Sequence, residues 1–259
     1  LDTYAAIRGL DTAQIMTVAD RVIAVSDSVV QYILNAYPQC PPERIVRIYE
    51  GIDPAIWPHG HQPSAQWWAQ VDQAFPQLMG KRWLTLPGRI TRLKGQLDFV
   101  TVMQALRPIF PDLHGVIVGG ADARKQGYLD ELTAAIRAAG LTEHITLTGA
   151  RQDMRDWLAA SSVVLSLSTQ AETFGRTVLE ALALGRPVVG WSRGGVAEIL
   201  QLLFAEGQVS PGDFDGLVQT IGRLLLAPPR LPPVTQLTLA DTNAQTLALY
   251  AEVVRPRAI

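Results

Sequence analysis

Residues 166–195 read SLSTQAETFGRTVLEALALGRPVVGWSRGG, and the rest of the chain can be placed around them. The apolar run 163–167 leads into this stretch and reads as a buried parallel strand. A polar loop, 168–173, follows it. A helix then starts near Phe174 and Gly175, carries Val178, Leu179 and Leu182 on one side, and stops at Gly185, with Pro187 just beyond. A second apolar strand, 188–191, leads into a Gly194–Gly195 turn. The unit is strand, loop, helix, strand, and in an α/β sheet its loop lies at the edge where ligands bind.

Two carboxylates frame that loop. Glu172 precedes the helix and Glu180 lies in its second turn. Helical side chains lean towards the N-terminus, so Glu180 points back to the loop and shares a face with Arg176 and Thr177. The helix start offers the unpaired N–H groups of Gly175, Arg176 and Thr177 and the positive end of the macrodipole. Phosphate oxygens suit such a place, and carboxylates on either side accept hydrogen bonds from hydroxyls. A diphosphate with a sugar at each end satisfies all three features. The plainer interpretation makes Glu172 a helix-start acid and Glu180 a solvated helix residue, and for an isolated pair that interpretation would prevail.

The pair is not isolated. With Phe174–Gly175, Glu180–Ala181, Gly185-Arg-Pro-Val-Val and Gly194–Gly195, it resembles the signature of the large retaining glycosyltransferase family with the GT-B fold. Its members include bacterial lipopolysaccharide-core and mannosyl transferases. The resemblance extends from about residue 19 to about residue 225. It implies an α/β fold: the donor-binding half of a GT-B enzyme, a Rossmann-like parallel sheet with helices on both faces.

The strand 83–86 runs into Pro87-Gly88-Arg89-Ile90-Thr91-Arg92-Leu93-Lys94-Gly95, then into a helix with Phe99, Val102, Met103 and Leu106 on one face. Arg89 and Lys94 thus stand where a strand end meets a helix start. Arg grips phosphate through two parallel hydrogen bonds, and Lys adds a compact charge. No Lys-Ser or Lys-Thr closes a glycine-rich turn, so this is not a P-loop. In the resembled family the motif here is Gly-Arg followed by Lys-Gly, and both pairs are present.

The next strand, 114–119, ends in Gly119-Gly120-Ala121-Asp122, which lacks the third glycine of a dinucleotide fingerprint and disfavours a dehydrogenase. A helix over 125–139 and a strand over 145–147 follow. Gly149-Ala150-Arg151 comes next, then a helix from Asp153 through Met154 and Leu158. The resemblance makes this loop the cradle of the nucleobase, largely through backbone groups, with Met154 packed nearby. It also implies donor-binding roles for Gly88, Gly119, Ala150, Arg151, Thr173, Phe174, Gly175, Arg176, Thr177 and Glu180. Catalytic work falls to Arg89, Lys94 and Glu172.

Other features carry less. His59 and His61 have no third ligand nearby and read as solvated loop residues; His114 and His144 read as structural. Asp213-Phe214-Asp215 matches a metal-holding Asp-x-Asp pattern, but acids are expected in the first turn of the helix that Asp213 caps, so no metal is assigned. Glu198 reads as capping or pairing. The four prolines of 227–234 make an extended segment, and a last helix, 241–254, groups Leu247, Tyr250, Ala251 and Val254.

Towards the N-terminus, a short helix from about residue 13 and the strand 21–25 precede a helix, 28–36, capped by Ser26 or Asp27. A second strand, 44–48, follows the Pro41–Pro42 break. The resemblance makes DRVIAVSDSVVQYIL the last strand and helix of an acceptor domain and YEGIDPAIWP the hinge, with Glu50 in place of the usual Asn. A linker, 59–66, leads to a helix carrying Trp67, Trp68, Val71 and Phe75. The start, LDTYAAIRGLDTAQ, lacks Met and opens in mid-pattern, so the chain is expected to be a piece of something longer. The expected domains are 1–53, a remnant of the acceptor domain with the hinge; 54–240, the nucleotide-sugar domain; and 241–259, a crossover helix.

With 259 residues, 48% of them hydrophobic, the chain can bury a substantial core. A net charge of −2 supplies no basic field for nucleic acid or anionic lipid. The single cysteine, Cys40, excludes an internal disulfide and fits a reducing compartment. No apolar run approaches the ~20 residues of a spanning helix and no secretory signal is present, so a cytoplasmic location is expected, with peripheral placement on an inner membrane left open. The implied function is sugar transfer from a UDP- or GDP-sugar to a glycan or lipid-linked acceptor with retention of configuration, in lipopolysaccharide or polysaccharide synthesis. No separate cofactor is required, and the acceptor, like any membrane contact, would be met by the absent domain. A GT-B-fold sugar-nucleotide epimerase and a module that binds nucleotide sugar without transferring it are the alternatives.

Overall fold

Short β-branched runs closed by glycine or proline are poor helix formers, and in this chain they form strands. The computed structural model describes residues 19–121 and 126–254. The helix expected from Ala13, the turn position Asp122 and the helix start at Lys125 lie outside them. The described residues divide into two units, one made of those up to Asp53 with those from Thr235 onward, the other of Pro54–Val234.

In the first unit, β1 (Val22–Ala24) pairs in parallel with β2 (Ile45–Arg47). Between them runs α1 (Asp27–Ala36), whose cap is Ser26: its hydroxyl accepts from the Val29 N–H at 3.1 Å. Ala24, Ile33 and Cys40 form a small core, which accounts for the inert cysteine.

The second unit opens with α2 (Ala65–Ala74), capped by Ser64. It continues through β3 (Arg82–Pro87), α3 (Gln96–Leu106), β4 (Leu113–Val118), α4 (Gln126–Ala138), β5 (Ile145–Leu147) and α5 (Met154–Ala160). After these come β6 (Val163–Ser166), α6 (Arg176–Ala183), β7 (Val188–Trp191), α7 (Gly194–Leu203), β8 (Gln208–Val209) and α8 (Phe214–Leu226). All six strands are parallel, in the order β5-β4-β3-β6-β7-β8. From β3 the chain steps outward to β5, returns to lay β6 on the other side of β3, and steps outward again. This reversal leaves a crevice between the C-terminal ends of β3 and β6, which is where ligands bind in open α/β sheets.

Every residue of β4, β6 and β7 is buried, as expected for a sheet covered on both faces. Phe99, Val102, Met103 and Leu106 of α3 and Leu217, Ile221, Leu224 and Leu225 of α8 are the buried faces of their helices. A second cluster is aromatic. Trp67, Trp83 and Trp157 pack with Val71, Leu78, Val116 and Val118, and the Trp83 and Trp157 rings stack with centroids 5.4 Å apart. Trp68, from the same helical pattern as Trp67, is partly exposed and meets the cluster edge-on.

Several expectations need correction. Gly194 and Gly195 are the first turn of α7, with Arg193 as N-cap, because the chain must enter a helix here at close quarters. His61 is engaged rather than solvated, its Nε2 lying 2.7 Å from Asp156 Oδ1, whereas His59 is exposed as expected, with its Nε2 2.9 Å from the Leu231 carbonyl. The final helix, α9 (Leu239–Val254), turns Leu249 inward and leaves Leu247, Tyr250, Ala251 and Val254, expected only to group together, exposed. Among the described residues no helix is long and apolar enough to cross a membrane.

Candidate functional site

The crevice is closed by backbone before any side chain enters it. At the end of β3, Gly88 donates to the Val118 carbonyl and Ile90 to that of Gly120, both at 2.9 Å, so the Gly88–Arg89 loop is stitched to the β4 side. A Cβ on Gly119 would come within 1.9 Å of the Gly88 oxygen. Gln96, wholly buried, donates to the Arg89 carbonyl at 3.0 Å and accepts from the Tyr128 hydroxyl at 3.3 Å. On the other side, Gly95 at φ +72° sits so close to the β6 loop that a Cβ would lie 2.0 Å from the Leu167 oxygen. The Thr169 N–H donates to the Leu93 carbonyl at 2.9 Å.

That interlock brings together residues 78 apart: Lys94 Nζ lies 2.7 Å from Glu172 Oε1. The Ser168 hydroxyl donates to the same carboxylate oxygen. Arg89 is exposed, with no ion pair among the described residues. Two cations and one carboxylate therefore stand at the switch point, one cation already paired and one open.

Beside them α6 begins. Gly175, at φ +99°, is its N-cap, and a Cβ there would meet Val196 at 2.8 Å. A Cβ on Gly194 would lie 2.6 Å from the Glu172 oxygen, and one on Gly195 would lie 2.4 Å from Phe174 Cα. Only glycine lets α7 approach this closely, and the Gly195 N–H then donates to the Glu172 carbonyl at 2.9 Å. Phe174 is buried as a wedge beneath the loop, whereas Thr173 and Arg176 are exposed. Glu180 is only 7% exposed, and its Oε1 lies 3.1 Å from Arg176 Nε. Burial pushes the Glu180 carboxyl above its ordinary range, partly offset by that guanidinium. Its recorded partner is thus Arg176, while Glu172 is paired with Lys94.

A third loop follows β5. Gly149 makes an isolated bridge with Gly119, and a Cβ on Gly120 would touch Ala150 at 3.1 Å, so the loop joins the same edge. Arg151 reaches Asp153 through Nε and Nη2, each at 3.1 Å. Met154 packs against the tryptophan cluster. Ser168, Gln96, Tyr128 and Asp153 were not picked out from the sequence as site residues. Only Ser168 carried a local signal, four residues before Glu172 in the polar loop. Asp213 is a helix cap, accepting from the Gly216 N–H at 2.9 Å. Among the described residues no three His, Cys, Asp or Glu side chains form a set that could hold a metal.

The chain is similar to several known proteins. The lipopolysaccharide core biosynthesis mannosyltransferase LpcC of Rhizobium leguminosarum is 29% identical over 181 residues, covering 70% of this chain and 49% of its own length. The D-inositol 3-phosphate glycosyltransferase of Mycolicibacterium gilvum is 25% identical over 226 residues, or 86% of this chain and 48% of its own. The chain therefore spans about half the length of the curated relatives it matches. Among solved structures, Anabaena HepE in complex with UDP and glucose superposes with a TM-score of 0.79 at 23% identity, over 90% of this chain and 64% of that one. A glycosyltransferase from Rickettsia africae gives 0.80 at 19% identity, over 95% and 67%. These superpositions identify the fold as the Rossmann-like half of GT-B glycosyltransferases. The family model described as glycosyl transferases group 1 matches residues 81–226, which takes in the β3 loop, the loop after β5 and the Glu172–Glu180 segment, and the chain belongs to that family.

Proposed function

We propose that the Pro54–Val234 unit is the donor-binding half of a glycosyltransferase that moves a sugar from a nucleoside diphosphate sugar to an acceptor with retention of configuration. The observation that carries the reading is the 2.7 Å contact of Lys94 with Glu172 at the switch point, beside the glycine-capped start of α6. Cations, helix N–H groups and a carboxylate within one crevice match the three parts of an activated sugar: diphosphate, nucleoside and transferred ring. Relatives named as mannosyltransferases, and HepE crystallised with UDP and glucose, support a UDP- or GDP-sugar as donor.

In this mechanism the bond from the sugar's anomeric carbon to the diphosphate oxygen breaks, and its electron pair leaves with the diphosphate. Arg89, Lys94 and the α6 N-terminus stabilise that growing charge. Lys94 exchanges Glu172 for phosphate, which frees the Glu172 carboxylate to accept from hydroxyls of the transferred sugar. Glu180 accepts from the ribose diol. The acceptor oxygen bonds to the anomeric carbon on the departed face, and its proton passes to the leaving diphosphate. The roles assigned to Gly88, Gly119, Ala150, Arg151, Met154, Thr173, Phe174, Gly175, Arg176 and Thr177 are donor contacts. The acceptor, a glycan or lipid-linked glycan of lipopolysaccharide or polysaccharide synthesis, would be met by the half of the relatives that this chain does not cover.

Calorimetry with UDP-, GDP- and ADP-sugars tests the donor reading directly: one of them binds, and pyrophosphate competes. Absence of binding by all three would overturn it. In a complete enzyme, Arg89→Ala lowers turnover about 10²–10³-fold, the usual loss for one charge-stabilising donor. Near-normal turnover would remove Arg89 from the mechanism.

A further inference from the structure

Asp153 stands at the N-cap of α5, where an aspartate ordinarily accepts from the helix's first backbone N–H groups. It makes no such bond. Its carboxylate instead gathers side-chain donors: Arg151 Nε and Nη2 at 3.1 Å each, the Trp67 indole N–H at 2.7 Å and the Trp157 indole N–H at 3.1 Å. Trp67 comes from α2, 86 residues away in sequence and outside the stretch that the family model matches. Burial pushes the Asp153 carboxyl up, but the bonds from Arg151 and Trp67 outweigh it and hold the group below its ordinary range. The acid is thus kept as a carboxylate and turned away from the helix it begins.

The effect falls on Arg151. Two of its five N–H groups are committed to Asp153, and its guanidinium carbon lies 5.3 Å from the Trp157 ring centroid. One face and one edge are therefore fixed. Three N–H groups and the other face remain, and the loop that carries them joins Gly119 and Gly120 on the ligand edge of the sheet. A guanidinium held in this way loses little rotamer freedom when it meets a planar acceptor.

We propose that Asp153, braced by Trp67 and Trp157, is a positioning residue that presents Arg151 to a carbonyl oxygen of the donor's nucleobase. The inference rests on the donor-binding reading and adds a side-chain reader to a loop otherwise expected to act through its backbone. Uracil and guanine carry carbonyl oxygens that a guanidinium can meet, whereas adenine has no carbonyl oxygen and presents an amino donor beside ring nitrogens.

The test is calorimetry of the full chain with UDP, GDP, ADP and pyrophosphate, in the wild type, Asp153→Asn and Arg151→Gln. Asp153→Asn keeps an oxygen for the indole N–H groups and removes the charge that holds Arg151. Expected are wild-type binding of UDP about tenfold tighter than ADP, a loss of about tenfold for UDP in each variant, and unchanged affinity for pyrophosphate, which has no base. Arg151→Gln keeps the readout available should the asparagine variant fail to fold. UDP binding at wild-type strength in a folded variant, equal losses for UDP and pyrophosphate, or ADP bound as tightly as UDP by the wild type would each overturn the positioning role. A wild type that takes neither pyrophosphate nor any of UDP, GDP and ADP would instead bring down the donor reading, and this inference with it.

Discussion

Two oppositely charged pairs stand on the ligand edge of the sheet, and they are built to opposite ends. Lys94 reaches one oxygen of Glu172, and that oxygen is shared with the Ser168 hydroxyl. Its ammonium is a point charge on a flexible stem, which suits the proposed exchange of Glu172 for phosphate. Arg151 meets Asp153 through two hydrogen bonds, and the carboxylate is held from behind by two indoles of the buried tryptophan cluster. The first pair is an exchangeable contact and the second a clamp. Distance does not separate them, since both lie in the ordinary hydrogen-bond range. What separates them is the number of donors that must move before either partner can.

The largest effect expected comes from dismantling the clamp's support. Trp157→Ala removes a fully buried ring that stacks on Trp83 and donates to Asp153, and should cost ~3–5 kcal/mol in urea unfolding. A loss under about 1 kcal/mol would mean that the cluster does not brace the carboxylate. Next comes the exchangeable pair. Lys94→Ala in a complete enzyme should raise the barrier by ~2.7–4 kcal/mol in turnover assays while leaving the melting temperature nearly unchanged. A variant that loses stability but keeps turnover would reverse the assignment of the two pairs.

A smaller, signed difference lies in pH. The Asp153 carboxyl is lowered on folding, so its contribution to stability is present above the ordinary aspartate range and lost as pH falls through its folded value. Glu180 is raised by burial, so its contribution is present below the ordinary glutamate range and lost as pH rises through its folded value. Melting curves against pH should therefore flatten on the acid side in Asp153→Asn and at higher pH in Glu180→Gln. Flattening at the same end in both would contradict one of the two directions.

Much of this was legible in the sequence because the physics involved is local. The strands 145–147 and 188–191 emerge at the expected bounds, since β-branched runs between glycine and proline leave little choice. The Ser26 and Asp213 caps follow from the same short-range chemistry. The Lys94–Glu172 contact is another matter: spacing alone could place each residue at a strand end, but only the reversal of strand order between β3 and β6 brings those ends together. Asp153 was readable as a helix start and not as a clamp, because Trp67, far earlier in the chain, draws its carboxylate away from the helix. The engaged His61 was not legible for the same reason, since composition does not name the neighbour.

Gly95 has a practical consequence for anyone wishing to retune this scaffold. Its missing side chain is filled by the Leu167 carbonyl, so the seam between the two halves of the sheet is main chain against main chain. Libraries built to change donor choice will find steric room at Thr173, which is exposed, and will lose nearly every clone randomised at Gly95. Space for a side chain is thus partitioned along one edge, open on the rim and absent at the weld.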